Sequence, residues 1–268
     1  MGLETAIKLV ARTDWNVHIL DYNEKSGKEA AKKLGASATF HQVDVTSYNS
    51  LGAVFKNIFV PEKRLDFVFA NAGIGEKANF YVEHDTGIEP PPTPPEMLAI
   101  VNVCLNGVIM TAWLAQHYFR LSPKGDKSLV ITASCGALYP SYYSPIYTST
   151  KHGVLGFMRS IAPNFWRADG IRVNAVLPGT VKTNLLTPEE WKNFPEEYFT
   201  PVEKVVEVVL IFIDGKDAVK GEGQGILKGK AIECSGNNHY YRDQPKYCDE
   251  GMRVVMQSTD KEELARDL

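Results

Sequence analysis

Cysteine is scarce in this chain of 268 residues: there are four, Cys104, Cys135, Cys234 and Cys248, far apart and with no C-x-x-C pair. That spacing excludes a disulfide framework and a zinc ribbon, and fits free thiols in a reducing cytosol, so a cytoplasmic location is expected. Charge of one sign is also lacking, since 29 basic residues face 32 acidic ones and the formal charge is -3. Neither a nucleic acid nor a membrane is expected as a partner. No run reaches the roughly 18 uninterrupted apolar residues of a membrane span. The best candidate, Val205 to Ile213, is short, contains Glu207 and reads as a buried helix. The opening M-G-L-E-T-A puts Gly2 where myristoylation needs it, but Ala6 stands where that pattern wants Ser or Thr, and Glu4 argues against a signal peptide. There is no internal repeat and no interdomain linker. One domain over 1–268 is therefore expected, with 236–268 as a carboxyl-terminal cap or interface segment.

What is present is an alternation of helical and strand patterns. Leu3, Ala6, Ile7, Val10 and Ala11 fall at helical spacing, and V-H-I-L-D (17–21) reads as a short buried strand. A charged helix (24–33), a strand (38–43), a helix from Ser47 and the apolar strand L-D-F-V-F-A ending at Ala70 follow. Next come a long helix (96–120), a strand (128–133), a helix (147–166), a strand from Ile171 and a last strand (231–234), six strands in all. Such an order predicts parallel strands with crossover helices, an α/β fold with a doubly wound sheet. The proline run 90–95 is excluded from helix and central strand, because proline lacks the amide hydrogen, and reads as a stiff surface loop. Gly221, Gly223, Gly225 and Gly229 punctuate a turn before the last strand, without the ending of a phosphate loop.

The stretch from Ser134 to Lys151 carries the most chemistry. Tyr147 and Lys151 are four residues apart, on one face of a helix. A phenol titrates near ~10, and an adjacent ammonium favours its ionised form, so Lys151 is expected to tune Tyr147 for proton transfer. Hydride leaving or reaching a carbinol carbon needs a partner for the hydroxyl proton, and such a phenol serves in both directions. Ser134, at a strand end, is placed to hold the same oxygen. A Y-x-x-x-K pair alone arises readily among 12 tyrosines. The weight lies in three strand ends that would converge.

Asn71-Ala72-Gly73 follows one strand at the carboxyl edge, where open parallel sheets place ligands, and its small residues let a cofactor approach. The G-I-G-E-K-A string from Gly73 copies a dinucleotide fingerprint but leads to Asn79, Phe80 and the proline loop instead of a helix, and is discounted. Asp21 ends another strand, 19 residues after Gly2, where a carboxylate accepts hydrogen bonds from an adenosine ribose; a plain exposed acid is the alternative. Asp44 and Val45 end the next and are placed to meet the adenine. Pro178, Gly179, Val181 and Thr183 follow the strand from Ile171 and are placed to grip a nicotinamide amide and phosphate, or simply form a turn.

Ser134 with Y-T-S-T-K, N-A-G at Asn71 and I-R-V-N-A-V-L-P-G-T-V-K-T together resemble the short-chain dehydrogenase/reductase family, from Gly2 to about Gly236. Two stretches, L-A-Q-H-Y-F-R and S-P-I-Y-T-S-T-K-H-G-V-L-G-F, are similar to hydroxyprostaglandin-dehydrogenase-like members and to fungal natural-product reductases. The resemblance implies a Rossmann-like single domain that moves hydride between NAD or NADP and a small secondary alcohol or ketone, in a setting such as secondary metabolism, as a homo-oligomer. It makes Tyr147 the general acid/base, Lys151 the ribose ligand that lowers the Tyr pKa, and Ser134 the substrate-orienting group. Asp21 favours NAD, because it would repel a 2′-phosphate, while Lys25 and Lys28 leave NADP open.

Two departures stand out. The family's first strand and two of its turn glycines have no counterpart, with Met1-Gly2 standing at the last two positions of the glycine-rich turn. Gly2 is left as the remaining cradle residue at a helix amino end. Loss of that central strand would strip backbone partners beside a buried core, at about 1 to 3 kcal/mol per buried unpaired group. Second, Cys104 stands where the family uses an Asn to support the Lys, with Asn102 and Asn106 two residues to either side. A weakened relay and a substituting neighbour are both open. The alternative readings are a cofactor-deficient binding or scaffold protein, and a chain cut short of its first strand.

Overall fold

The computed structural model describes residues 1–77, 79–93, 95–220 and 225–260. Ala78, Pro94, Gly221, Gly223 and the last eight positions of the expected cap, 261–268, lie outside them. In chain order the elements are α1 (Gly2–Val10), β1 (Val17–Asp21), α2 (Glu24–Leu34), β2 (Ala38–Gln42), α3 (Tyr48–Glu62) and β3 (Phe67–Ala70). Then follow α4 (Pro95–Val101), a π-helical turn (Asn102–Asn106), α5 (Gly107–Leu121), β4 (Lys127–Thr132), α6 (Pro145–Asp169) and β5 (Ile171–Pro178). The chain continues through α7 (Pro188–Trp191), α8 (Val202–Asp214), β6 (Ala231–Ser235), β7 (Asn238–Tyr241) and α9 (Glu250–Gln257).

Local chemistry sets these bounds. Asn23 and Ser47 accept from the amides of Ser26 and Ser50, starting α2 and α3, and Gly170 in the left-handed region (φ 66°) ends α6. Strands β3 to β6 pair in parallel, Phe67 with Ser128, Lys127 with Ile171 and Ala175 with Ala231. Side chains alternate across this sheet as the two-residue period requires. Leu129 and Ile131 pack with Val108, Ala112, Met158 and Phe165 of α5 and α6. Val130 and Val176 pack on the other face with Val205, Val208 and Phe212 of α8. Apolar cover on both faces is what the near-continuous apolar runs of β4 and β5 require.

Three expectations need correction. A seventh strand, β7, runs antiparallel to β6 and pairs Tyr241 with Ile232. Its polar N-H-Y-Y hides the strand pattern; what pins it is tertiary, since Asp217 Oδ2 meets His239 Nε2 at 2.9 Å and Tyr241 Oη at 3.0 Å. Burial works to raise the Asp217 pKa, but the backbone N–H of Lys220, His239 and the other donors prevail and lower it to about 2. Pro95 is helical after all, at the first position of α4, where a missing N–H costs nothing. The long helix from Glu96 is also not one regular helix, because the π turn interrupts it at Asn102–Asn106. The run Glu96–Leu121 has the length and composition of a membrane-crossing helix, and a third of its most apolar window is buried in the fold.

The sheet is split. Strands β1 and β2 pair in parallel as one unit, β3 to β7 form another, and no ladder joins β1 to β3. Between these two edges lies a cavity of about 2110 Å³, lined by Val17–Asp21 and Phe67–Ala70, with Leu9, Leu51 and Phe55 beneath. This is the place the sequence leaves without a strand. The edge groups are not sealed in a dry core, though: no residue of β1 is fully buried and Asp21 is exposed, whereas every residue of β4 and β5 is buried. The facing edge is closer to the core, since Val68 and Ala70 of β3 are buried.

Hydrogen exchange should expose this division. Alternate amides of β1 and β3, those facing the cavity, are expected to exchange far faster than the two-sided ladder of Leu129–Ile131 and Val173–Leu177. Equal protection across all four strands would show that the edges are paired.

Candidate active site

The parallel strands bring their carboxyl ends to one rim, where open α/β sheets bind ligands. Asp21 ends β1, Asn71 follows β3, Ser134 lies two residues beyond β4, and Gly179 follows β5. Helix α6 starts beside this rim and packs Val154, Leu155, Met158 and Ala162 into the core, which fixes the face carrying Tyr147 and Lys151.

Ser134, Tyr147 and Lys151 meet as expected. Ser134 lies against the Tyr147 side chain and works to lower its pKa, while Ser134 Oγ accepts from Gly136 N at 3.0 Å. The Lys151 ammonium lies 5.5 Å from the Tyr147 ring centre and is 3% exposed. It donates to the carbonyl of Thr132, the last residue of β4, at 2.9 Å. The Thr132 hydroxyl in turn donates to Asn71 Oδ1 at 3.0 Å. A chain of hydrogen bonds therefore links the lysine to the end of β3. Thr132 was not legible as a site residue, because its main role is played by a backbone carbonyl that any residue carries.

The electrostatics differ from the expectation. Burial pushes the Tyr147 phenol up, the Ser134 hydrogen bond pulls it back in part, and Cys104, Cys135 and Tyr143 push it further up. Burial likewise lowers Lys151, partly opposed by Cys104. Desolvation thus dominates at both groups, and both are driven towards their neutral forms.

Cys104 is fully buried and faces the site, while Asn102 and Asn106 are exposed and joined to each other, Asn106 Nδ2 to Asn102 Oδ1 at 2.9 Å. Asn102 lines the large cavity, but it is Cys104 that stands beside Lys151. The thiol accepts from Ile74 N and donates to Ile74 O, both at 3.4 Å, and so clasps the loop after β3.

The other candidates fall into two groups. Gly2, Asp21, Asp44, Val45, Asn71, Ala72 and Gly73 all line the large cavity. A Cβ on Gly2 would stand 3.2 Å from Asn71 Nδ2, so the amino end of α1, which has no side-chain cap, abuts the end of β3. Its first amides are free for an anion. Asp21 Oδ1 accepts from Asn23 N at 2.8 Å, and Asp44 Oδ1 accepts from the Thr46 amide and hydroxyl at 2.9 and 2.7 Å. Part of each carboxylate is therefore spent on its own turn.

Pro178, Gly179, Val181 and Thr183 form the second group. Gly179 N donates to Cys234 O at 2.8 Å, and a Cβ there would lie 2.8 Å from that same oxygen, so glycine is required by close approach. Val181 is buried, and Thr183 O accepts from Trp191 Nε1 at 2.9 Å, which folds 183–191 back as a flap. That flap reaches the cavity through Asn184 and covers Gly75, where an added Cβ would meet Leu185 O at 2.9 Å. Among the described residues, no group of three or more His, Cys, Asp or Glu side chains is arranged to hold a metal ion.

Comparison with known proteins agrees with this geometry. A family model described as short chain dehydrogenase matches residues 1–193. The short-chain dehydrogenase/reductase prx7 of Penicillium rubens is 47% identical over 277 aligned residues, covering 97% of this chain and 96% of that one. The rat 15-hydroxyprostaglandin dehydrogenase [NAD(+)] is 28% identical, over 73% of this chain and 67% of its own. Among solved structures, ElxO with NADP bound superposes with a TM-score of 0.68 at 22% identity, over 87% of this chain and 91% of that one, a likeness of fold.

Proposed function

This chain belongs to the short-chain dehydrogenase family and is an NAD(P)-dependent oxidoreductase, and from that premise we propose that Tyr147, Lys151 and Ser134 carry its reaction, the exchange of a secondary alcohol and its ketone. The observation that supports this reading best is the placement of Ser134 and the buried Lys151 against the Tyr147 ring, at the rim where the β3 and β4 ends meet.

The residues present suit a nicotinamide cofactor. The uncapped amino end of α1 at Gly2 and the open Gly73, where an added Cβ would stand 4.0 Å from Lys151 Nζ, leave room and free amides for it. When bound, the nicotinamide supplies or accepts the hydride. Tyr147 gives the hydroxyl proton to the forming alkoxide or takes it from the alcohol, and Ser134 holds that oxygen by hydrogen bonding. Lys151 keeps the end of β4 and the phenol in register through Thr132 O. Asn71, Ala72, Gly73, Asp44, Val45, Pro178, Gly179, Val181 and Thr183 complete the proposed cofactor contacts, and the proposed setting is secondary metabolism.

NAD is the proposed cofactor. Asp21 leaves Oδ2 for a ribose hydroxyl and repels a 2′-phosphate, while Lys28, which could offset it, is paired with Glu24 at 2.6 Å. The name of the rat relative carries NAD(+), whereas ElxO was solved with NADP. Homo-oligomerisation is supported by α5, which exposes Ile109, Trp113 and Leu121 on the face turned away from the sheet.

Four measurements check these readings. Tyr147→Phe should lower kcat on a panel of secondary alcohols and ketones by about 10² or more, since it removes the proton partner; unchanged turnover would refute the role. Because burial raises the phenol, the neutral form prevails at pH 7, so alcohol oxidation should climb with pH while ketone reduction holds through neutrality and falls at high pH. The efficiency ratio should favour NAD, and a large NADP preference would overturn the Asp21 argument. Sedimentation should give a mass above 29.8 kDa, and a single-chain mass would remove the oligomer.

A further inference from the structure

Helix α6 begins with a deficit. Ser144 stands at its N-cap without a side-chain cap hydrogen bond, and Pro145 occupies the first position, leaving Tyr147 N–H among the amides that the helix cannot satisfy itself. That amide nevertheless has a partner. Glu76 Oε2, 71 residues earlier in the chain, accepts from Tyr147 N at 2.8 Å. The other oxygen, Oε1, is shielded from solvent and has no hydrogen-bond partner among the described residues. One carboxylate has thus been drawn out of water to hold one amide, at the positive end of a 25-residue helix, where a negative group is favoured.

Glu76 is itself held tightly. Two residues before it, the Cys104 thiol clasps both the N–H and the carbonyl of Ile74. One residue before it, Gly75 lies under Leu185 O, with no room for a side chain. The same loop begins at Asn71, which Thr132 ties to the carbonyl that receives Lys151. The 71–76 segment therefore touches the tyrosine by its backbone and the lysine through Thr132.

We propose that Glu76 is a positioning residue that sets Tyr147 by gripping its amide, so that the loop after β3 fixes where the phenol stands relative to Ser134. This rests on the reading of Tyr147 as the acid/base. Glu76 touches neither hydride nor proton. Its work is to remove freedom from the first turn of α6, where a misplacement of about 1 Å can cost on the order of 10² in rate.

The test pairs Glu76→Ala, which removes the acceptor, with Glu76→Gln, which keeps an acceptor oxygen of the same reach without the charge. Glu76→Ala should lower kcat about tenfold or more while KM for alcohol and cofactor stays within about twofold, and Glu76→Gln should restore kcat to within about threefold of the parent. In parallel, exchange of the Tyr147 amide, followed by NMR, should accelerate in Glu76→Ala and stay slow in Glu76→Gln. If the alanine variant does not fold, Glu76→Met, which keeps the bulk without the acceptor, takes its place. The proposal is overturned by a kcat within twofold of the parent in the alanine or methionine variant. It is overturned equally by a glutamine variant as impaired as they are, by a loss confined to KM, or by an unchanged Tyr147 amide. Should the parent turn over no alcohol or ketone, the acid/base reading fails, and the amide exchange still decides whether Glu76 holds Tyr147.

Discussion

Everything at the rim depends on one buried lysine. Lys151 lies almost wholly out of solvent, and an ammonium in that position is costly unless something answers it. The carbonyl of Thr132 answers it at the end of β4, so helix and strand cannot slide past each other without orphaning the charge. The apolar stripe of α6, Val154, Leu155, Met158 and Phe165, supplies the adhesion, and the lysine supplies the register. Tyr147, one helical turn away, inherits its place from both.

Desolvation is the force that gives the trio its character. Burial raises Tyr147 and lowers Lys151 in the same small volume, so desolvation pushes both groups towards their neutral forms. Such a pair has a proton ready for a developing alkoxide. Cys104 contributes to this balance by its own position near both groups, and mechanically by its clasp on Ile74. A thiol is a weak partner, but it makes two contacts to one peptide segment, accepting from Ile74 N and donating to Ile74 O.

The described strands form two separate sheets, β1 with β2 and β3 to β7, with a slot between them. Strands β4 and β5, covered on both faces, form the cohesive body, while β1 and β2 are carried as a separate pair by α1 and α2. The cavity between them merges with the cleft proposed for the cofactor, which is why its volume is larger than the few hundred to 1,000 Å³ typical of small-molecule sites. Asp21 and Asp44 stand on the far side of this slot from Tyr147, so the adenosine and nicotinamide ends of the proposed cofactor would rest on two different sheets.

The sequence by itself determined the helix–strand alternation, six of the seven strands observed among the described residues, and the meeting of Ser134, Tyr147 and Lys151, because periodicity and strand-end motifs are local properties. It did not disclose β7, whose polar residues are held by Asp217 rather than by an alternating pattern, or the π turn, on which Cys104 is buried while Asn102 and Asn106 pair with each other. It also had the net direction of the Tyr147 shift reversed, since spacing reveals a neighbouring ammonium but not the depth of burial. Glu76 was invisible for the same reason: a carboxylate 71 residues from its amide has no spacing to read. Only the tertiary structure decided these points, because each depends on which distant segments exclude water from one another.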